Sequence, residues 1–147
     1  MGDQFDVTVL AGMPGVGKTY FAKKEFLNHP LIELDGTREE MGVDPGEEEG
    51  HVQQRTKERC RELLRTKTPF VFAAVNHLKK TRRRWIGLFK GYGANVTVIY
   101  MEKPFDVMMK QNKNREKVVP EGIVREMFSR LEVPNWDECN NLVFKTS

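Results

Sequence analysis

An α/β fold, a parallel sheet covered by helices on both faces, is predicted by three features of the 147-residue chain. Short apolar runs alternate with longer amphipathic stretches, the pattern of strands joined by right-handed crossover helices. The stretch "PFVFAAVN", residues 69–76, is hydrophobic almost throughout, as central parallel strands are because both their faces are buried. The stretch "VTVLAGMPGVGKTYFAKKEFL", residues 7–27, passes from an apolar run through glycines, a lysine and a hydroxyl residue into helical spacing.

Each element follows in order. Residues 5–11 read as a buried strand and 18–27 as the helix after it. "LIEL", residues 31–34, is a short second strand with Asp35 at its end. "MGVDPGEEEG", residues 41–50, mixes glycine, proline and acid and reads as a surface loop. A polar, mostly exposed helix is expected over 51–64, the third strand over 69–76, and a further helix over 79–90. "ANVTVIYM", residues 94–101, is the fourth strand. Pro104 stands at a helix start, followed by apolar Phe105, Val107, Met108 and Met109. Pro120 opens a last long helix to about residue 131, and "NNLVF" closes the sheet. No internal repeat is visible, and residues 1–147 are expected to form one domain.

The bulk properties bound the classes. The chain is 39% apolar and 31% charged, the balance of a soluble globular protein that buries a core without disulfides or metal. No apolar run approaches the roughly 20 residues that span a bilayer. "MGDQFDVTVL" lacks a basic n-region and a long h-region, and Asp6 stands where myristoylation needs Ser or Thr. Cys60 and Cys139 have no metal-ligand spacing and read as reduced thiols. A cytoplasmic protein with no membrane partner is expected, in host cytoplasm if its origin is a phage. A formal charge of +3 is too small to decide for or against nucleic acid.

Gly12, Gly17, Lys18 and Thr19 fit G-x-x-x-x-G-K-[ST], between a strand and a helix as that pattern requires. Glycines permit positive φ and close backbone approach, so successive N–H groups point into one anion-binding nest. The helix N-terminus adds partial positive charge. The sequence therefore predicts a P-loop NTPase fold. Gly12, Met13, Pro14, Gly15, Val16, Gly17, Lys18, Thr19 and Tyr20 would surround ATP, Lys18 reaching the β- and γ-phosphates and the Thr19 hydroxyl ligating Mg²⁺.

Among P-loop classes, a GTPase would carry N-K-x-D after a strand; "QNKN", residues 111–114, lacks the acid. A transport ATPase would carry a signature helix, which is absent. A nucleotide-gated switch without catalysis stays open. A small phosphotransferase needs an acceptor-activating base and a cationic lid, and both have candidates. Asp35, at the strand edge where ligands bind parallel sheets, is placed to take a proton from an acceptor hydroxyl. Arg38, three residues on, is placed to pair with an acceptor phosphate. The alternative is that Asp35 caps a helix starting near Thr37 and Arg38 is solvated. Lys113, Arg115 and Lys117 lie in "QNKNREKVVP", residues 111–120, with Lys110 just before it, a polar stretch that is either a lid over the transferring phosphate or an ordinary basic surface.

In these blocks the chain resembles the 5′-hydroxyl polynucleotide kinases of the bacteriophage and bacterial end-healing type, over nearly its whole length. The resemblance rests on "GMPGVGKT", the D-x-x-R pair Asp35 and Arg38, "FVFAAVN" with Asn76 at the strand end, "YGANVTVIYMEKP", and "QNKNREKVVP" with the following "LEVP". It implies Asp35 as general base, Arg38 on the phosphate beside the 5′-hydroxyl, Asn76 at the acceptor site, Arg115 on the triphosphate, and DNA or RNA as partner. Two departures stand out. Some phage members carry an acid two residues before the asparagine, where this chain has Ala74, leaving metal support to Thr19, waters and Asp35. A lid arginine of those members is replaced by Gln111. The same machinery would serve a kinase acting on a hydroxymethylated base such as 5-hydroxymethyluracil in duplex DNA.

The run "KKTRRRW", residues 79–85, either tracks a nucleic-acid backbone or is a solvated helix face. Trp85 and Trp136 are expected in the core rather than stacked on bases. His29, His51 and His77 form no metal constellation, although His77 follows Asn76 near the expected site.

Overall fold

The computed structural model describes residues 4–44, 47–115 and 118–146. Its sheet has five strands in the order β2-β3-β1-β4-β5: β1 Phe5–Ala11, β2 Leu31–Glu33, β3 Phe70–Ala73, β4 Ala94–Met101 and β5 Asn141–Lys145. Every neighbouring pair is parallel. The helices are α1 Lys18–Glu25, α2 Leu34–Met41, α3 Glu49–Arg65, α4 Lys79–Gly91, α5 Phe105–Lys113 and α6 Glu121–Ser129, with a 3-10 turn at Trp136–Glu138.

Alternation along the strands sorts the core into two layers. Val7, Val9, Phe70, Phe72, Val96 and Val98 point to one face, where Cys60 and Leu64 of α3 and Trp85, Ile86 and Phe89 of α4 meet them. Leu10, Val71, Ala73, Ile99 and Met101 point to the other, covered by Ala22 of α1, Met108 and Met109 of α5 and Val124 of α6. The aromatic side is tightly knit: Phe72 lies 4.3 Å centroid to centroid from Trp85 and 5.8 Å from Phe89. Helices thus cover both faces of a parallel sheet, as expected.

Several expectations are corrected. The second strand ends at Glu33, and α2 begins at once with Leu34. Asp35 is therefore in the first turn of a helix, not at a strand end, and it does not cap a helix starting near Thr37. The third strand stops at Ala73; the chain then leaves the ladder so that Asn76 can adopt φ 50°. The first helix ends at Glu25, short of Leu27, which is exposed. The last helix ends at Ser129. Trp85 is in the core at 2% exposure, but Trp136 is 79% exposed, because the 3-10 turn that carries it points its ring away from the sheet. Of the basic run, Arg82 is fully buried while Lys80, Arg83 and Arg84 are exposed, so it is neither a uniform solvated face nor a continuous charged track.

Candidate active site

The loop after β1 is built by close packing. A side chain at Gly12 would meet the Met101 carbonyl at 2.7 Å and Val16 at 2.8 Å. Gly15 and Gly17 both have φ 93°, a conformation that L side chains adopt only at a cost. Gly12 N–H donates to the Val75 carbonyl (3.0 Å), and Asn76 Nδ2 donates to the Leu10 carbonyl (3.1 Å). The loop is thereby tied to the segment that leaves β3. Gly17 is the N-cap of α1 and no side chain caps that terminus, so its first N–H groups are available to an anion.

Lys18 lies folded within this nest, donating to the Gly12 carbonyl at 2.6 Å and the Met13 carbonyl at 3.3 Å. Burial, with Arg115 nearby, pushes its ammonium down to about 8, against the opposing pull of Asp35 and Glu33. A cation held where it is disfavoured stands ready for an anion. Thr19 Oγ1 donates to Glu33 Oε2 at 2.6 Å. Glu33 escaped sequence reasoning: a glutamate ending a short strand carries no motif, and only the placement of β2 against the loop reveals it.

A cavity of about 560 Å³ opens above the loop, and Lys18, Thr19, Tyr20, Glu33, Asp35, Arg38, Asn76, Gln111 and Arg115 all line it. The loop lysine and hydroxyl, the D-x-x-R pair, the strand-end asparagine and the lid arginine expected from sequence are thus brought together. Met13 and Val16 are not among the lining side chains; they are buried in the core beneath the loop. His77 lines the cavity too, its imidazole lowered by burial and by Arg130 and Arg82. Lys117 lies outside the described residues.

Arg38 is not solvated. It donates from Nη1 to Asp35 Oδ1 at 2.7 Å and from Nε and Nη2 to Glu49 of α3 at 2.8–3.0 Å. The pair thus faces the cavity while anchoring α2 on α3. Beneath them the Thr56 hydroxyl donates to Thr37 Oγ1 at 2.9 Å, fixing the same two helices from within. On the other side, buried Asn112 pairs with Val119 in both directions, at 2.8 and 3.1 Å. That clasp holds together the two ends of the basic segment that Arg115 belongs to. Asn76 is buried, and its Oδ1 has no hydrogen-bond partner among the described residues, an orphan acceptor at the cavity wall.

The donor set fits a nucleotide with a hard cation. The cradle offers backbone N–H groups and an ammonium, and the Thr19 hydroxyl and Glu33 carboxylate are oxygen donors of the kind magnesium takes. Among the described residues, no group of three or more His, Cys, Asp or Glu could hold a metal alone. A cation here would rely on phosphate oxygens as well, as is usual for magnesium beside a triphosphate.

A phosphate-binding loop between β1 and α1 of a parallel sheet in the order 2-3-1-4-5 defines a P-loop fold of the kinase type. A family model described as "AAA domain" matches residues 7–134, and the chain belongs to that family. It is 23% identical over 140 residues to an L-seryl-tRNA(Sec) kinase of Methanococcus maripaludis, covering 88% of this chain and 55% of that protein; the chain spans about half the length of this curated relative. It is similar in fold to a chain of the Pnkp1/Rnl/Hen1 RNA repair complex, with TM-score 0.77, 18% identity, and coverage of 88% of this chain and 45% of the other. It is similar also to a gluconokinase from Sinorhizobium meliloti, with TM-score 0.64, 17% identity, and coverage of 98% and 84%. No helix among the described residues is long and apolar enough to cross a membrane.

Proposed function

We propose that this chain is a kinase that uses ATP and Mg²⁺ to phosphorylate the terminal 5′-hydroxyl of DNA or RNA. The observation that carries the reading is the convergence of Lys18, Thr19, Asp35, Arg38 and Arg115 on one cavity. The resemblance in sequence motifs and the fold similarity to a chain of an RNA repair complex favour a polynucleotide acceptor over a small sugar.

The residues divide the work. The backbone of the loop and Lys18 would hold the triphosphate, and Thr19 would offer its hydroxyl oxygen to the cation, whose charge would offset that developing on the phosphoryl group. Asp35 accepts the proton of the attacking hydroxyl. Arg38 keeps Asp35 oriented and turns part of its fork to the phosphate next to that hydroxyl. Arg115 stabilises charge on the transferring group, an interaction stronger in the transition state than in the ground state. Asn76 offers its unpaired Oδ1 to a donor on the acceptor.

Transfer of labelled γ-phosphate to oligonucleotides tests this. Asp35→Asn keeps the shape and loses the base, and is expected to lower turnover by about a hundredfold with ATP binding retained. Arg38→Ala is expected to harm acceptors with a phosphate beside the reacting hydroxyl far more than a bare nucleoside, since a charge-assisted bond matters only when its anionic partner is present. Undiminished labelling of 5′-phosphorylated strands carrying a hydroxymethylated base, with none on unmodified 5′-hydroxyl strands, would overturn the terminal-hydroxyl reading.

The lowered Lys18 gives a pH signature. Its ammonium sits at about 8 without nucleotide, and phosphate charge in the nest raises it. Between those two values the free protein has lost a proton that the complex holds. ATP affinity should therefore be full below pH 8 and fall as pH rises above it, with net proton uptake on binding at pH 9. Calorimetry in buffers of different ionisation enthalpy reads that uptake directly; zero uptake at pH 9 would place Lys18 outside the phosphate site.

A further inference from the structure

Where the chain leaves the third strand, the cavity wall is Ala73, Ala74 and Val75, with no charge to offer. The neighbouring strand supplies one instead. Glu33, the last residue of β2, stands in register with Ala73 of β3, one strand further from the loop, a displacement of about 4.8 Å. Glutamate reaches one methylene further than aspartate. Glu33 Oε2 accepts the Thr19 hydroxyl proton at 2.6 Å.

The direction of that bond matters. With its proton committed to Glu33, Thr19 Oγ1 has its lone pairs left for a cation, and the carboxylate adds negative charge behind the donor, as outer partners of metal ligands do. Asp35 is differently engaged: its Oδ1 pairs with Arg38 and its side chain is 64% exposed.

We propose that Glu33 is the positioning residue for the divalent cation of this site. It orients Thr19 and charges the site, leaving Asp35 to the acceptor hydroxyl. The inference rests on the reading of the cavity as an ATP and Mg²⁺ site.

The test is Mn²⁺ binding, followed by electron paramagnetic resonance, to the full chain with a non-hydrolysable ATP analogue. Glu33→Gln keeps the shape and an acceptor for Thr19 but loses the charge. It is expected to weaken Mn²⁺ by about tenfold to a hundredfold, with the metal-free analogue still bound. Glu33→Asp keeps the charge but shortens the reach, and is expected to lose affinity as well; it carries the test should Glu33→Gln not fold. Asp35→Asn is expected to bind Mn²⁺ as the parent does. Parent-like Mn²⁺ affinity in both Glu33 variants, or loss in Asp35→Asn alone, overturns the assignment while leaving the kinase reading in place. A parent chain that binds no analogue with or without Mn²⁺ overturns both.

Discussion

Lys18→Ala is expected to lower phosphoryl transfer by about a thousandfold or more while leaving the unfolding midpoint close to the parent's. On the proposed reading the lysine contributes one ammonium to the phosphate nest, and a cation aimed at developing phosphate charge is worth orders of magnitude in rate. Its removal should not harm the fold, because its bonds in the free protein are to the Gly12 and Met13 carbonyls of the loop itself. Burial also disfavours its charge there. Proton uptake on nucleotide binding should vanish in the same variant. Rapid-quench transfer assays with a thermal melt alongside would check the pair of expectations, and near-parent turnover would remove this loop from the chemistry.

The second large effect is on stability. Arg82 is fully buried and its partner Glu138 nearly so; Nε donates to Oε1 at 2.8 Å and Nη2 to Oε2 at 3.2 Å. A third donor, Nη1, reaches the Asn76 carbonyl at 2.8 Å. Arg82→Leu strands a buried carboxylate and is expected to cost about 3–5 kcal/mol, read from denaturant midpoints. Adding Glu138→Leu removes the stranded charge and should recover much of that loss. Burial pushes the Glu138 carboxyl up, yet the Arg82 bonds and the Asn135 N–H outweigh it and hold it below its ordinary value. A carboxylate depressed in the folded state stabilises above its unfolded pKa, and that share is lost as pH falls through the folded value. The parent should therefore lose stability on acidification below about pH 4.5 more steeply than the double variant. Equal acid sensitivity would show that the pair contributes little.

These two predictions mark where the sequence was legible. The loop could be read because its chemistry is local: eight consecutive residues carry the glycines, the lysine and the hydroxyl, and the flanking apolar periodicity names their setting. Asp35 and Arg38 were legible as candidates from their place after the second strand and their three-residue spacing, and Arg115 was singled out from its basic cluster by the family resemblance. Their meeting in one cavity is a property of the sheet order. Glu33 was invisible because its significance lies in which strand lies beside which. Arg82 and Trp136 escaped the sequence for a related reason. Arg82 looked like one of several surface cations, and Trp136 looked like core. The buried ion pair with Glu138, 56 residues away, explains the arginine: it is a long-range polar contact with no periodic signature, and it fixes the turn that turns Trp136 out to solvent. Asn76 at φ 50° is a further case, since the Arg82 bond to its carbonyl supports a backbone conformation that the residue's identity merely permits.

The position of β1 at the centre of the sheet carries a consequence for biosynthesis. Its first partner to be made, β3, pairs Phe70 with Val7, and its other partner, β4, pairs Ala94 with Phe5. At ribosomal speeds of about 5–20 residues per second, the apolar segment FDVTVLA waits for seconds with both edges unmatched. Until then it is a nascent strand open to promiscuous pairing, the kind of segment that chaperones shield. Productive collapse around β1 therefore awaits the synthesis of β3 and then β4. Slowing elongation before residue 94 should lengthen that exposed interval and lower the soluble yield more than slowing it afterwards.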